Sequence, residues 1–376
     1  MISVLGPSTN QKMIDEMTKV LKSGWWGYGK KTQEFEKKFA EYVGAKYAIG
    51  VNSGTAALDL CLKVYGIKGG ELITTPMTFV ADAIVGEWNG MDVTFADIDE
   101  DSLCLDPKSI KFSHNTKAVI TVDSHGRLAD IDGIRKAWHE QMDEQTLGIP
   151  VPAPLIIEDA AHAMYTPGAG KKADITIWSF QAVKTLPTGD GGMITTNDDK
   201  IYQKLRTLTW LGVEKSTYER SEGKRYSWDY DITQAYGLKA YMNDLTAVIG
   251  LVQLERLEEM TAKRRAIQAR YNEAFKGMPQ IKTPMYSHTV QYYTMQAERR
   301  DELSDFLATN DIATSVHFKV LHEMTYWRKA KKNPLPVADR VWVKLLSLPV
   351  HDNLTWEQVE YIISKVKEFY DSAYRV

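Results

Sequence analysis

Near its start the chain repeats apolar residues at helical spacing. Met13, Met17, Val20 and Leu21 share one face of a segment that Ser8 or Thr9 is placed to cap and that ends near Ser23-Gly24. The loop Trp25-Trp-Gly-Tyr-Gly-Lys30 follows, and Phe35, Phe39 and Tyr42 then resume a helical period. From Tyr47 the pattern changes to short runs rich in β-branched residues, at 47–51, 72–75, 93–96, 118–122, 155–157, 174–178 and 193–196. Several are apolar on both faces, which suits strands buried between two helical layers, and the lengths between them suit crossover helices. The pattern predicts an α/β fold on a mostly parallel seven-stranded sheet. Residues 244–275 read as one or two helices with Leu251, Leu254, Leu257 and Met260 inward, and Gly277-Met-Pro marks a boundary. The expected organisation is a large domain over 1–276 and a smaller C-terminal α/β domain over 277–376. In the latter, 338–348 and 356–370 are expected to be closing amphipathic helices. Residues 218–230, rich in Lys, Arg and aromatic residues, read as a mobile or intersubunit loop.

Composition narrows the class. With 376 residues, 44% hydrophobic and 25% charged, the chain is long enough for a large core. Lys and Arg number 46 against 49 Asp and Glu, for a net charge of −3, and no block of like charge occurs. That balance excludes a nucleic-acid footprint and a polybasic membrane patch. The two cysteines, Cys61 and Cys104, lack CxxC spacing, which fits a reducing compartment and argues against a disulfide framework or structural zinc. His317 and His322 have no Cys or carboxylate completing a ligand set, so no metal is expected. Without a leader-like start or an apolar run long enough to span a bilayer, a cytoplasmic location is expected.

In parallel sheets, ligands collect at the carboxyl ends of the strands, so the residues there carry the candidate chemistry. After the first run comes Asn52-Ser-Gly-Thr-Ala-Ala-Leu58, a small polar turn opening a helix whose free N–H groups favour a phosphate. After the second comes Phe79, and after the fifth Glu158-Asp159-Ala-Ala-His162. The sixth run stops at Ser179, and Lys184 follows before the glycine-rich turn Thr188-Gly-Asp-Gly-Gly192. Taken singly, Ser-Gly-Thr is an ordinary helix cap, Phe79 and His162 are core residues, and Lys184 is a solvated amine. At one edge of one sheet they supply what pyridoxal 5′-phosphate requires. Lys184 forms the Schiff base and then carries protons, and Asp159 keeps the pyridinium nitrogen protonated. Phe79 covers one ring face. The Gly54 and Thr55 N–H groups, the Thr55 hydroxyl and Ser179 hold the phosphate, and His162 bonds the ring's 3′-oxygen.

With these motifs in order, the chain resembles the DegT-type sugar aminotransferases almost end to end. The match adds Phe35-Glu, Met242-Asn-Asp-Leu, Arg300-Asp-Glu-Leu, His317-Phe-Lys-Val-Leu-His322 and Ser347-Leu-Pro to those above. The resemblance implies the fold-type I architecture of pyridoxal-phosphate-dependent transferases and a homodimer whose active sites are completed by the neighbouring chain. It implies L-glutamate as amino donor and a keto-sugar nucleotide as acceptor, an NDP-3-keto- or NDP-4-keto-6-deoxyhexose, in deoxyaminosugar and polysaccharide biosynthesis. It places Lys239, where the family often has Asn, against the phosphate in the partner's site, and His322 near the sugar nucleotide. Asp190 where the family usually has Glu, Tyr241 for a common Arg, and His162 for a frequent Gln are further departures. One branch of the family replaces the lysine with histidine and dehydrates its substrate; retention of Lys184 disfavours that reading. An aminotransferase acting on a cyclitol or other ketone, and a non-enzymatic sensor on the same scaffold, are the remaining alternatives.

Overall fold

A computed structural model describes residues 1–142, 150–222, 228, 230–328 and 333–373. The seven apolar runs all form strands at nearly the expected positions: β1 (Tyr47–Val51), β2 (Glu71–Thr74), β3 (Asp92–Phe95), β4 (Thr116–Val122), β5 (Leu155–Asp159), β6 (Ile175–Ser179) and β7 (Gly192–Thr196). They make one sheet in the order β1-β7-β6-β5-β4-β2-β3, in which every pairing is parallel except those of β7, antiparallel to both neighbours. This is the mostly parallel sheet that the pattern predicts.

The helices are α1 (Gln11–Ser23), α2 (Lys30–Val43), α3 (Gly54–Val64), α4 (Ala81–Trp88), α5 (Ile131–Gln141), α6 (Asp199–Leu208), α7 (Thr217–Glu222), α8 (Asp244–Phe275), α9 (Arg300–Thr309), α10 (Pro336–Trp342) and α11 (Trp356–Ala373). Strand alternation divides the core between two helical layers. Ile49, Val51, Ile157, Ile177 and Ile194 pack with Leu58 and Leu62 of α3, Val85 of α4 and Leu205 of α6. On the other face Trp178 and Met193 meet Phe35 and Phe39 of α2 and Leu251, Leu257 and Met260 of α8, while Ile73, Val119 and Ile156 meet Ile131 and Ile134 of α5. Phe35, Phe39, Trp178 and Phe180 form an edge-on ring cluster with centroids 5.4–5.9 Å apart, directly beneath the end of β6.

A second, antiparallel sheet has the order β10-β9-β8, formed by β8 (Ile281–Lys282), β9 (Tyr293–Ala297) and β10 (Leu345–Leu348). Ile267, Tyr271 and Phe275 of α8 join it with Leu303 of α9 and Ile362 of α11 in one core. Here an expected helix over 338–348 is corrected. Helix α10 ends at Trp342, and Leu345–Leu348 is a fully buried strand paired with β9. Its apolar positions alternate between two cores, Leu345 toward the large sheet and Leu346 and Leu348 toward the small one, a period of two. The first helix is capped by Asn10, whose side chain accepts from the Met13 amide at 2.9 Å. Ser8 is instead buried, taking a bond from Arg256 at 3.1 Å, and Thr9 turns toward the Met13 sulfur. Of the 218–230 segment, 223–227 and 229 lie outside the described residues. Among the described residues no helix is long and apolar enough to cross a membrane.

Phe35 is fully buried where α2, α8 and the end of β6 meet, so Phe35→Ala should destabilise the fold by about 3–5 kcal/mol. A fall in the urea midpoint at unchanged m-value checks it; a loss below about 1 kcal/mol would show that the cluster does not support the strand end.

Candidate active site

Because β7 runs back against β6, residues 180–191 form a turn folded over the carboxyl edge of the sheet. Its base is closed by Phe180 N–H to Gly191 O at 2.9 Å and Thr188 N–H to Phe180 O at 2.8 Å. Gly189 has φ +95°, a conformation that L side chains rarely adopt. Lys184 sits in a tight bend, its N–H donating to Gln181 O at 2.8 Å. Both flanking residues are held by one buried amide. Gln291 accepts from Thr185 N–H at 2.9 Å and from its hydroxyl at 2.8 Å, and donates to Val183 O at 2.8 Å. The half-buried Lys184 amine is therefore presented by a fixed backbone.

Asp159, the last residue of β5, is buried, and its Oδ1 accepts from Ala161 N–H at 2.8 Å. Burial raises its carboxyl, against the opposing pull of the Ala161 N–H and of Lys184. Within hydrogen-bonding reach stands a second buried acid, Asp82 in the first turn of α4. Burial lowers the Lys184 ammonium from 10.5 to about 8, and Asp159 and Asp82 limit the fall. Three buried imidazoles complete the surroundings. Burial, with Lys184 as the next cause, pushes His162 well below its ordinary value and His317 down to about 3. His125 is held well down by burial and by Arg127. The His125 N–H points to His162 Nδ1 at 3.5 Å, and its Nε2 lies 3.1 Å from His317 O. The His162 ring stacks on Phe318 and His317 on Tyr292. The chain thus surrounds its amine with neutral rings.

The helix that starts after β1 makes the anion end. Ser53 caps α3 by accepting from Ala56 N–H at 3.1 Å, and among the described residues no acceptor takes the Gly54 or Thr55 N–H. A Cβ on Gly54 would lie 3.1 Å from Ser179 Cβ and 3.3 Å from its Oγ. A Cβ on Gly192 would lie 2.8 Å from Gly54 N and from Ser53 C. This contact of bare backbones sets the Ser179 hydroxyl beside two unclaimed donors at a helix N-terminus, a ready site for a dianion. Phe79 is 58% exposed although Met77 and Thr78 before it are buried, leaving a free ring face at the end of β2. An amine, a buried acid, an anion cradle and a free ring together fit the cofactor expected from the sequence.

Lys239 is exposed on the outer edge of β1. Its carbonyl accepts from Asn52 Nδ2 at 3.5 Å, and its ammonium lies 5.8 Å from the Trp210 ring centroid. His322 is buried beside Phe95, its Nε2 2.7 Å from Asp339. A large cavity of about 920 Å³ lies elsewhere, between α2, α6 and 209–219, where Trp25, Trp26, Tyr28 and Arg206 line it. None of the strand-end residues lines it, so chemistry and not volume locates the site. Sequence reasoning did not place Asp82, His125, His317 or Gln291 at this site; an acid at a helix start four residues past Thr78 was the one local signal available.

The sequence profile described as the DegT/DnrJ/EryC1/StrS aminotransferase family matches residues 7–367. "Spore coat polysaccharide biosynthesis protein SpsC" of Bacillus subtilis (strain 168) is 37% identical, over 98% of this chain and 96% of that protein. Among solved structures, the sugar aminotransferase CalS13 from Micromonospora echinospora superposes with a TM-score of 0.86 at 26% identity, over 98% of this chain and all (100%) of that one. The PLP-form of Spr1654 from Streptococcus pneumoniae gives a TM-score of 0.85 at 27% identity, over 99% of each chain.

With a folded value near 8 against 10.5 for a free lysine, Lys184 in the cofactor-free protein loses its proton earlier than the unfolded chain does. Between those values the unfolded chain binds the extra proton, so this group adds stability as pH rises through the window. Acylation of Lys184, followed by mass spectrometry, should rise about tenfold per pH unit and level off near pH 8, whereas in urea it should continue to rise above pH 10. A midpoint above 10 in the folded protein would contradict the geometry.

Proposed function

This chain belongs to the DegT/DnrJ/EryC1/StrS aminotransferase family, and on that premise we propose that it transfers an amino group from L-glutamate to an NDP-3-keto- or NDP-4-keto-6-deoxyhexose. Pyridoxal 5′-phosphate is the cofactor of this family of aminotransferases. When bound, it supplies an electrophilic carbon for amines and a ring that accepts electrons.

The residues then divide the work. Lys184 would hold the cofactor and would take and return a proton at its Nζ, a role that an amine titrating near 8 performs with little driving-force penalty. Asp159 would pair with the ring nitrogen, Phe79 would cover the ring, and Gly54, Thr55 and Ser179 would hold the phosphate. His162, neutral because it is buried, bonds the ring oxygen without adding a charge that would compete with the lysine. In a homodimer, the exposed Lys239 at the β1 edge reaches the partner's phosphate. The name of the Bacillus relative favours an amino sugar destined for a polysaccharide. The observation that carries the reading is the half-buried Lys184 amine in a rigid turn, facing buried Asp159 at the same sheet edge as the unclaimed N–H groups of α3.

Protein purified with pyridoxal 5′-phosphate should absorb visible light, and L-glutamate alone should bleach the band with release of 2-oxoglutarate. Elimination chemistry would release none. Lys184→Ala should lower turnover about 1000-fold or more while leaving the fold intact. Protein that stays colourless with added cofactor, or a Lys184→Ala variant with full turnover, would overturn the proposal.

A further inference from the structure

Asp82 is a buried acid beside Asp159 at the sheet edge, and the proposed chemistry gives it no task. It is 1% exposed, and one of its two oxygens has a donor: Oδ2 accepts the Thr78 hydroxyl proton at 2.6 Å. Its other oxygen, Oδ1, is buried without a donor. An ionised carboxylate left in that state is strongly disfavoured, since burial without hydrogen bonds removes its hydration and returns nothing. The neighbour within reach is the Asp159 carboxyl, which burial also raises. Two neighbouring carboxylates in a dry site do not both ionise.

We propose that Asp82 is a protonated carboxylic acid that donates from Oδ1 to Asp159, and that this shared proton fixes the orientation of Asp159 and tempers the charge it turns toward the cofactor ring. The proposal rests on the reading of Asp159 as the ring-nitrogen partner. Ownership of the proton follows from the surroundings. Asp159 receives the Ala161 N–H at 2.8 Å and is pulled toward its charged form by Lys184. Asp82 receives a hydroxyl only, and Lys184 is the weakest of the influences on it. The facing groups are thus Thr78 from the preceding turn, Asp159 from β5 and Lys184 from the 180–191 turn. The N-terminal turn of α4 favours a negative Asp82, but a helix terminus is a fractional charge, and the adjoining carboxylate is a whole one.

Asp82 acts through Asp159 and is therefore a positioning residue. A lone Asp159 carboxylate would hold the ring nitrogen's proton more tightly. With an acid donating to it, Asp159 is a weaker base held in one rotamer, and the ring nitrogen gives up its proton at a lower pH.

Two measurements test this. In cofactor-free protein at neutral pH, the infrared difference between wild type and Asp82→Asn should contain the carbonyl band of a protonated carboxylic acid in the wild type. A carboxylate band in its place would overturn the proposal, whatever the enzyme does with its cofactor. In protein loaded with ¹⁵N-labelled pyridoxal 5′-phosphate, Asp82→Asn should leave the ring-nitrogen resonance and its midpoint near the wild-type position, because the amide donates to Asp159 and accepts from Thr78 as the acid does. Asp82→Ala should shift the midpoint upward, by about one pH unit, the scale on which a single neighbouring group moves a pKa. Equal shifts in the two variants would overturn the proposal. Failure of wild type to bind the cofactor would remove the reading of Asp159 and with it the effect on the ring, while the infrared result would still decide where the proton lies.

Discussion

The direction of one strand governs the rest of this architecture. Were β7 parallel to its neighbours, the chain leaving β6 would have to cross the sheet before returning, and residues 180–191 would be a connection instead of a turn. Because β7 is antiparallel, its first residue, Gly192, lies in register with the last residues of both β1 and β6, Val51 and Ser179. That register brings the Gly192 backbone against Ser53 and Gly54, leaving no room for a side chain. Lysine, serine hydroxyl and helix start are consequently near one another by construction, and the aromatic cluster under Phe180 keeps the strand end from shifting.

Burial sets the charge state of what gathers there. The basic side chains are pushed toward their neutral forms: the His125, His162 and His317 rings hold a proton less readily than free histidine, and Lys184 less readily than free lysine. Acids respond in the opposite sense. On the far face of the same strand ends, Glu158 takes Gly170 N–H and the Thr176 hydroxyl, while burial and that neighbouring carboxylate push Asp123 well up. Both faces of β5 thus end beside a carboxyl pair in which burial pushes one member, Asp82 or Asp123, toward its protonated form. A site assembled from many ionisable groups carries few net charges, which suits a ligand bringing its own dianion.

What the sequence disclosed and what it hid follow from the range of the interactions. The seven strands were legible because both of their faces are buried, so each is a short apolar run between turns. Asp159 and Lys184 were legible because they break such runs at strand ends, where solvation does not explain them. Asp82 looks like an ordinary polar position in a helix; its meaning depends on β5, far along the chain. His125, His317 and Gln291 arrive from three separate segments, and local pattern says nothing about which segments meet. Leu345–Leu348 was misread because a short apolar run has no unique period, and what decided it was a pair of cores on opposite sides. The Asn10 cap was missed because Ser8 is recruited by Gln253 and Arg256 of α8, partners far away in sequence.

The amide of Gln291 carries a consequence for how such proteins are recombined. It enters from the segment feeding the small sheet, alongside Thr289, whose hydroxyl meets Thr166 at 2.7 Å, and it grips the residues on either side of Lys184. A chimera that grafts a relative's C-terminal part at the end of α8 therefore imports the brace of the reactive amine along with a new surface. The lysine belongs to one parent and its alignment to the other. Exchanges made there would be expected to succeed only between parents that share this fastening, a tighter rule than overall similarity imposes.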